Sequence, residues 1–350
     1  MSGAVGDPEG LDLVRLRRYF VEHVGGARDV PLHGELIAGG RSNLTYVVSD
    51  GEHEWVLRRP PLGHVLETAH DMGREYRVQR GLRTTDVPVP RVDAFCDDPE
   101  VNGAPFYVME RVDGRVLRTR HEVTALSDDD ARRCSRELVD VLVRLHAVDY
   151  DAVGLGEFGR PDGFVERNLR RWGKQWDQNK TRDLPAIDEI GRRLRAALPE
   201  SGPPTIVHGD YRLDNTMLAP EDAGRVVAVL DWEMSTLGDP LTDLALLVVY
   251  WGLAQGSPSA EAIAAHSGFL SPAQLIERYA EQSGRAVDHL DFYVVFACYK
   301  LAVILEGIHA RYLMGKTVGE GFSEIGGRVD AMAEAAMDLA QHSSIPALRG

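Results

Sequence analysis

Apolar positions along this chain of 350 residues change their period several times. Leu13, Leu16, Tyr19 and Phe20 recur at helical spacing behind Asp7-Pro8, which predicts a capped amphipathic opening helix. From Gly34 to Val48 the pattern becomes alternating, around the turn Gly39-Gly40-Arg41-Ser42-Asn43. After the turn at Asp50-Gly51, Glu54 to Arg59 predicts another strand. Period two puts Val56 and Arg58 on one face of it and Leu57 and Arg59 on the other. Helical spacing returns with Met72, Tyr76 and Leu82, then stops at Val87-Pro88-Val89-Pro90. Beyond the Asp97-Asp98-Pro99 turn, Pro105 to Val112 reads as the last strand of a small sheet, left through Asp113-Gly114.

The rest is mostly helical. Ser127 precedes three aspartates, so it reads as an N-cap with carboxylates in the first turn of a helix. That helix buries Ala131, Cys134, Leu138, Val141, Leu142 and Leu145 and ends near His146, a packed histidine rather than a ligand. Gly238-Asp239-Pro240 turns the chain into another helix. The longest apolar run, Phe292 to Leu305, is broken by Lys300 and reads as a core helix too short to span a bilayer. No internal repeat is visible. Strands first and helices afterwards imply an α+β chain.

Chemistry concentrates in His208-Gly209-Asp210-Tyr211-Arg212-Leu213-Asp214-Asn215 and in Val227-Ala228-Val229-Leu230-Asp231-Trp232-Glu233. The first sets an Asp and an Asn close together in a loop; the second delivers another Asp at the end of an apolar strand. Moving a nucleotide γ-phosphoryl to a hydroxyl needs a carboxylate to take the hydroxyl proton and hard oxygen ligands to hold Mg²⁺ on the phosphates. Asp210 suits the first task, Asn215 and Asp231 the second. The glycine turn before Asn43 either lays backbone N–H groups and Ser42 over phosphates or is an ordinary hairpin.

Taken with Gly238-Asp239-Pro240-Leu241-Thr242-Asp243, these motifs resemble the aminoglycoside phosphotransferase-like family, in its branch associated with acyl-CoA dehydrogenases, from about residue 30 to 315. The resemblance implies a protein-kinase-like two-lobed fold. A small antiparallel-sheet N-lobe would cover residues 1–111 and a larger, mostly helical C-lobe residues 112–350. It implies ATP and Mg²⁺ as cofactors, with Asp210 as base, Asn215 and Asp231 on the metal and His208 as a brace. Arg58 stands where kinases carry a strand lysine, and Arg is a planar fork rather than a point charge. Glu75 is its implied partner. The adenine would pair with the backbone of Glu110 and Val112, and Asp243 would brace the loop. Arg212 is either a cation for the transferring phosphoryl group or an exposed loop arginine. Asp214 reads as a loop-bonding residue.

A net charge of −15 argues against nucleic acid or an acidic membrane as partner. Cys96, Cys134 and Cys298 stand apart, as in a reduced cytoplasm, and Met1 to Pro8 shows no secretory pattern. Against this acidic background Arg167, Arg170, Arg171 and Lys174 form one stripe on a helix carrying Trp172 and Trp176. The stripe either lines a cleft for an anionic acceptor, a hydroxy acid or hydroxyacyl-CoA, or is solvated surface. Two further readings stand: an aminoglycoside-type antibiotic kinase and a nucleotide-binding regulator without turnover.

Overall fold

Alternating strand residues and one-sided helices sort the computed structural model into two units, one built on a sheet and one on helices. It describes residues 7–37, 43–62, 71–252, 258–316 and 321–350. The first unit comprises Met1–Gly114, Asp151–Leu155 and Val227–Ser235; the second comprises Arg115–Tyr150, Gly156–Val226 and Thr236–Gly350.

In the first unit, helix α1 (Leu13–His23) begins later than Asp7-Pro8 implies. Gly10 turns the chain at φ +89°, so the cap passes to Asp12, whose carboxylate accepts from Arg15 N at 3.0 Å. Strands β1 (His33–Leu36), β2 (Leu44–Ser49), β3 (Glu54–Arg59), β4 (Val92–Cys96) and β5 (Phe106–Glu110) form one antiparallel sheet in the order β1-β2-β3-β5-β4. Helices α2 (Met72–Leu82) and α3 (Pro99–Asn102) belong to the same unit. In β4 the apolar Phe95 shares the outer side with Asp93, which hides the strand's alternation in the sequence. Leu57 packs with Phe20, Tyr46, Trp55 and Val108 on one face, while Val56 joins Met72, Tyr107 and Met109 on the other. A one-residue slip would exchange Leu57 for Arg58, losing about 2 kcal/mol of burial and placing a charge in the apolar layer. The register that aims Arg58 is thereby fixed.

The second unit contains α4 (Arg120–Thr124), α5 (Asp128–His146), α6 (Phe164–Asn179), α7 (Pro185–Ala196), β6 (Thr205–Val207) and β7 (Thr216–Leu218). Next, β8 (Val226–Val229) returns the chain to the first unit. After β9 (Thr236–Gly238) come α8 (Leu241–Gly252), α9 (Pro258–Ala265), α10 (Pro272–Ser283), α11 (Leu290–Leu313), α12 (Ile325–His342) and α13 (Pro346–Arg349). Ser127 caps α5 by accepting from Asp130 N at 3.1 Å, as its sequence implies. The apolar run from Phe292 lies inside the 24-residue α11, which by length and composition alone is enough to cross a membrane. The helix is longer than the apolar run read from the sequence because it continues past Leu305 to Leu313. Its sides are taken by α6, α7, α8 and α12, and 72% of its apolar stretch is buried.

Candidate active-site residues

The first unit gathers one cation and three acids. Alternation along β3 points Arg58 toward α2, where Glu75 sits in the first helical turn, and Arg58 Nε lies 3.0 Å from Glu75 Oε2. That contact is an ion pair without the direction of a straight hydrogen bond. The other arm of the fork bonds Asp231 Oδ1 at 2.6 Å, and Glu233 Oε2 is 3.8 Å away. Tyr107 donates to Glu75 at 2.9 Å, and the Asn43 amide donates to Glu75 at 3.0 Å and to Glu233 at 3.1 Å. Asp231 itself has φ +66° and is the one non-glycine residue with positive φ among the described residues. Strain of this kind, which Asp tolerates better than most residues, holds the carboxylate at the end of its strand.

One guanidinium thus faces three carboxylates. Burial pushes the Glu75 carboxyl up to about 7; Arg58 and the Tyr107 hydroxyl pull it down, and Asp231 and Glu233 push it up again. Between its ordinary 4.5 and about 7 the folded state holds the Glu75 proton more tightly than the unfolded chain does. Its contribution to stability is therefore full below 4.5 and lost as pH rises through about 7. Glu75→Gln, which cannot titrate, should remove a pH-dependent loss of at most about 3 kcal/mol across that window, read by urea unfolding at several pH values. Parallel pH profiles for the two proteins would contradict the assignment.

The second unit builds the loop after β6. Asp243, buried in the first turn of α8, accepts from His208 N at 2.6 Å and from Gly209 N at 2.8 Å, with His146 Nε2 3.4 Å away. Burial would raise this carboxyl, but His146 and the loop amide more than offset it and leave the group below its ordinary value. His146 is packed, its Nδ1 2.8 Å from the Tyr279 hydroxyl. Gly209 has φ +83°, a conformation that lets the loop double back so that Asp210 N reaches His208 Nδ1 at 3.2 Å. Asn215 then donates to the backbone oxygen of Asp210 at 2.9 Å and to its carboxylate at 3.0 Å. Arg212 spans Asp210 and Asp214, 3.3 Å from each, with its guanidinium 4.9 Å from the centre of the Tyr250 ring. Asp214 is bound within the loop.

The structure thus brings Arg58, Glu75 and Asp231 together in one unit and Asp210, Arg212 and Asn215 together in the other. Glu110 closes β5 opposite Trp55, with its carboxylate accepting from Arg91 N at 2.8 Å; the Val112 backbone makes no hydrogen bond to a described residue. Ser42 lies outside the described residues. Among the described residues no group of three or more His, Cys, Asp or Glu could hold a metal alone. Each unit nevertheless carries donors of the kind Mg²⁺ takes, since that ion binds few carboxylates and completes its shell from phosphates and water. In the first unit the acid excess around Arg58 lacks positive charge. In the second, Asn215 Oδ1 accepts no bond from a described residue and is an oxygen open to a hard cation. An apolar cavity of about 300 Å³ lined by Val248, Ile276, Leu290 and Val294 includes no residue of the loop.

Several contacts escape the sequence reading. The basic stripe on α6 is divided: Arg167 folds back onto the carbonyls of Arg160 and Asp162, and Arg170 pairs with Glu166 at 2.8 Å. Trp172 and Trp176 anchor the helix in the core. Lys300 donates to the Gly209 carbonyl at 3.0 Å. A lone cation midway along a buried apolar helix is the signal that could have found it.

The pattern of the phosphotransferase enzyme family matches residues 33–281. Acyl-CoA dehydrogenase family member 11 of Rattus norvegicus is 32% identical over 347 residues, covering 96% of this chain and 44% of that protein. Family member 10 of Mus musculus is 33% identical over 330 residues, covering 93% of this chain and 31% of that protein. The chain spans less than half the length of these curated relatives. A solved aminoglycoside phosphotransferase candidate from Ralstonia eutropha JMP134 matches with a TM-score of 0.85 at 34% identity, covering 95% of this chain and 99% of that one. The macrolide 2'-phosphotransferase of Brachybacterium faecium matches with a TM-score of 0.56 at 22% identity over 91% of this chain and 97% of that one, a likeness of fold alone.

Proposed function

Because this chain belongs to the phosphotransferase enzyme family, we infer that it transfers the γ-phosphoryl group of ATP, with Mg²⁺, to a hydroxyl of a small anionic molecule. The observation that carries this reading is the loop in which Asn215 grips Asp210 while Asp243 holds the two preceding amides. Such a loop fixes one carboxylate where it can orient a hydroxyl and accept its proton. Asn215 and Asp231 are the proposed metal ligands. When bound there, Mg²⁺ supplies positive charge against the phosphate oxygens. Arg58, aimed by Glu75, would grip phosphate oxygens as a fork, and Arg212 would stabilise charge on the transferring group. Backbone groups of Glu110 and Val112 would receive the adenine.

The mammalian relatives' names support an acceptor of acyl-CoA chemistry, a hydroxy acid or hydroxyacyl-CoA. A polycationic aminoglycoside fits less well, since Lys300 and Arg171 both lack a carboxylate partner among the described residues. A coupled ADP-release assay over hydroxy acids, hydroxyacyl-CoAs, aminoglycosides, choline and sugars tests the reading. ADP release with an anionic acceptor is expected. Release with aminoglycosides alone would overturn the acceptor class, and Mg-ATP binding without release for any acceptor would leave a non-catalytic regulator.

A further inference from the structure

Lys300 lies on the buried length of α11, in a helix whose neighbouring residues Tyr299, Leu301, Ala302 and Val303 are all core. Its Nζ donates to the carbonyl of Gly209, the residue before Asp210, and pairs with no carboxylate among the described residues. The ammonium also lies 5.9 Å from the centre of the Trp172 ring, and on that same ring rests the Arg171 guanidinium, 4.7 Å from its centre. Arg171 has no carboxylate partner among the described residues either. Two cations therefore share one buried indole beside the loop, the Lys300 ammonium on the core side and the Arg171 guanidinium open to solvent. Burial and Arg171 lower the Lys300 pKa, while Asp210 and Asp243 act to raise it. Asp243 is spent on the loop amides. Lys300, held away from water without a carboxylate, is the member that lacks an anion, and the exposed Arg171 stands where an incoming anion would meet it.

We propose that Lys300 and Arg171, set around Trp172, form an anion-binding subsite that holds the negatively charged group of the acceptor beside Asp210. The inference rests on the phosphotransferase reading and deepens it. An anion held there would satisfy the donors of Lys300 left over from Gly209 and would bring the acceptor to the carboxylate that takes its proton. The same chemistry has two sources, the carboxylate of a free hydroxy acid and the phosphates of a CoA thioester.

Calorimetry without ATP separates them, using 4-hydroxybutyrate against its neutral amide and 3-hydroxybutyryl-CoA against its uncharged N-acetylcysteamine thioester. Wild type is expected to bind the charged member of at least one pair about 10- to 100-fold tighter, the worth of charge-assisted hydrogen bonds. Lys300→Met and Arg171→Gln should each remove about 10-fold or more of that preference and leave affinity for the neutral member unchanged. Preference within the first pair assigns the carboxylate, and within the second the CoA phosphates. Equal affinity within both pairs, or variants that weaken charged and neutral members alike, would overturn the subsite. Because binding is read apart from turnover, preference without phosphoryl transfer would fault the reaction and not the subsite.

Discussion

Asp210→Asn is expected to lower turnover by about 10²- to 10⁴-fold, the usual share of a positioned general base, with Mg-ATP affinity little changed. The substitution keeps the shape of the side chain and removes its charge. Its ion pair with Arg212 is partly exposed, so its loss costs the fold little. The loop is held instead by Asp243 through the amides of His208 and Gly209, contacts that the variant leaves alone. Steady-state kinetics with an accepted hydroxyl compound, beside calorimetry with Mg-ATP, separate the two effects. Wild-type kcat in the variant would remove Asp210 from the role of base.

The second large effect is expected at Asp231. Asp231→Asn should weaken Mg²⁺-dependent nucleotide binding and lower phosphoryl transfer by about 10²-fold or more, because a carboxylate on the metal becomes a neutral amide. Asn accepts the φ of +66° that this position imposes, so the backbone is preserved; Ala would add roughly 1 kcal/mol of strain. Arg58 keeps Glu75 after either change. Comparing the two variants therefore divides the loss of charge from the loss of backbone fit. Unchanged Mg-ATP affinity together with full activity would contradict the assignment.

What could be read from the sequence was what lies close together along it. The loop from His208 to Asn215 is contiguous, so Asp210 and Asn215 are visible as a pair before any coordinates. Arg58 and Glu75 are named by the family resemblance, and alternation along the strand adds only the face on which Arg58 stands. Asn43, just before β2, and Tyr107, on β5, complete the setting of Glu75 from elsewhere in the chain and carry no local signal. Lys300 reads as a blemish in an apolar run because its meaning depends on Gly209, distant in the chain. The α6 stripe misleads for the opposite reason: spacing aligns four cations, but Arg167 and Arg170 are consumed by carbonyls and a carboxylate of their own neighbourhood. Strand β4 is lost because Phe95 stands on the same side as Asp93, so apolar residues occupy both sides of the alternation.

The central claim is phosphoryl transfer to an acceptor hydroxyl with Asp210 as base. Its most direct test is incubation of wild type and Asp210→Asn with Mg-ATP and the hydroxy acid and hydroxyacyl-CoA panel, followed by phosphorus NMR and mass spectrometry of the acceptors. Expected from wild type is an acceptor that gains one phosphoryl group as a phosphate monoester, formed in step with ADP and nearly absent with the variant. An acceptor phosphorylated equally by both proteins, or ATP consumed while no acceptor gains a phosphoryl group, would contradict it.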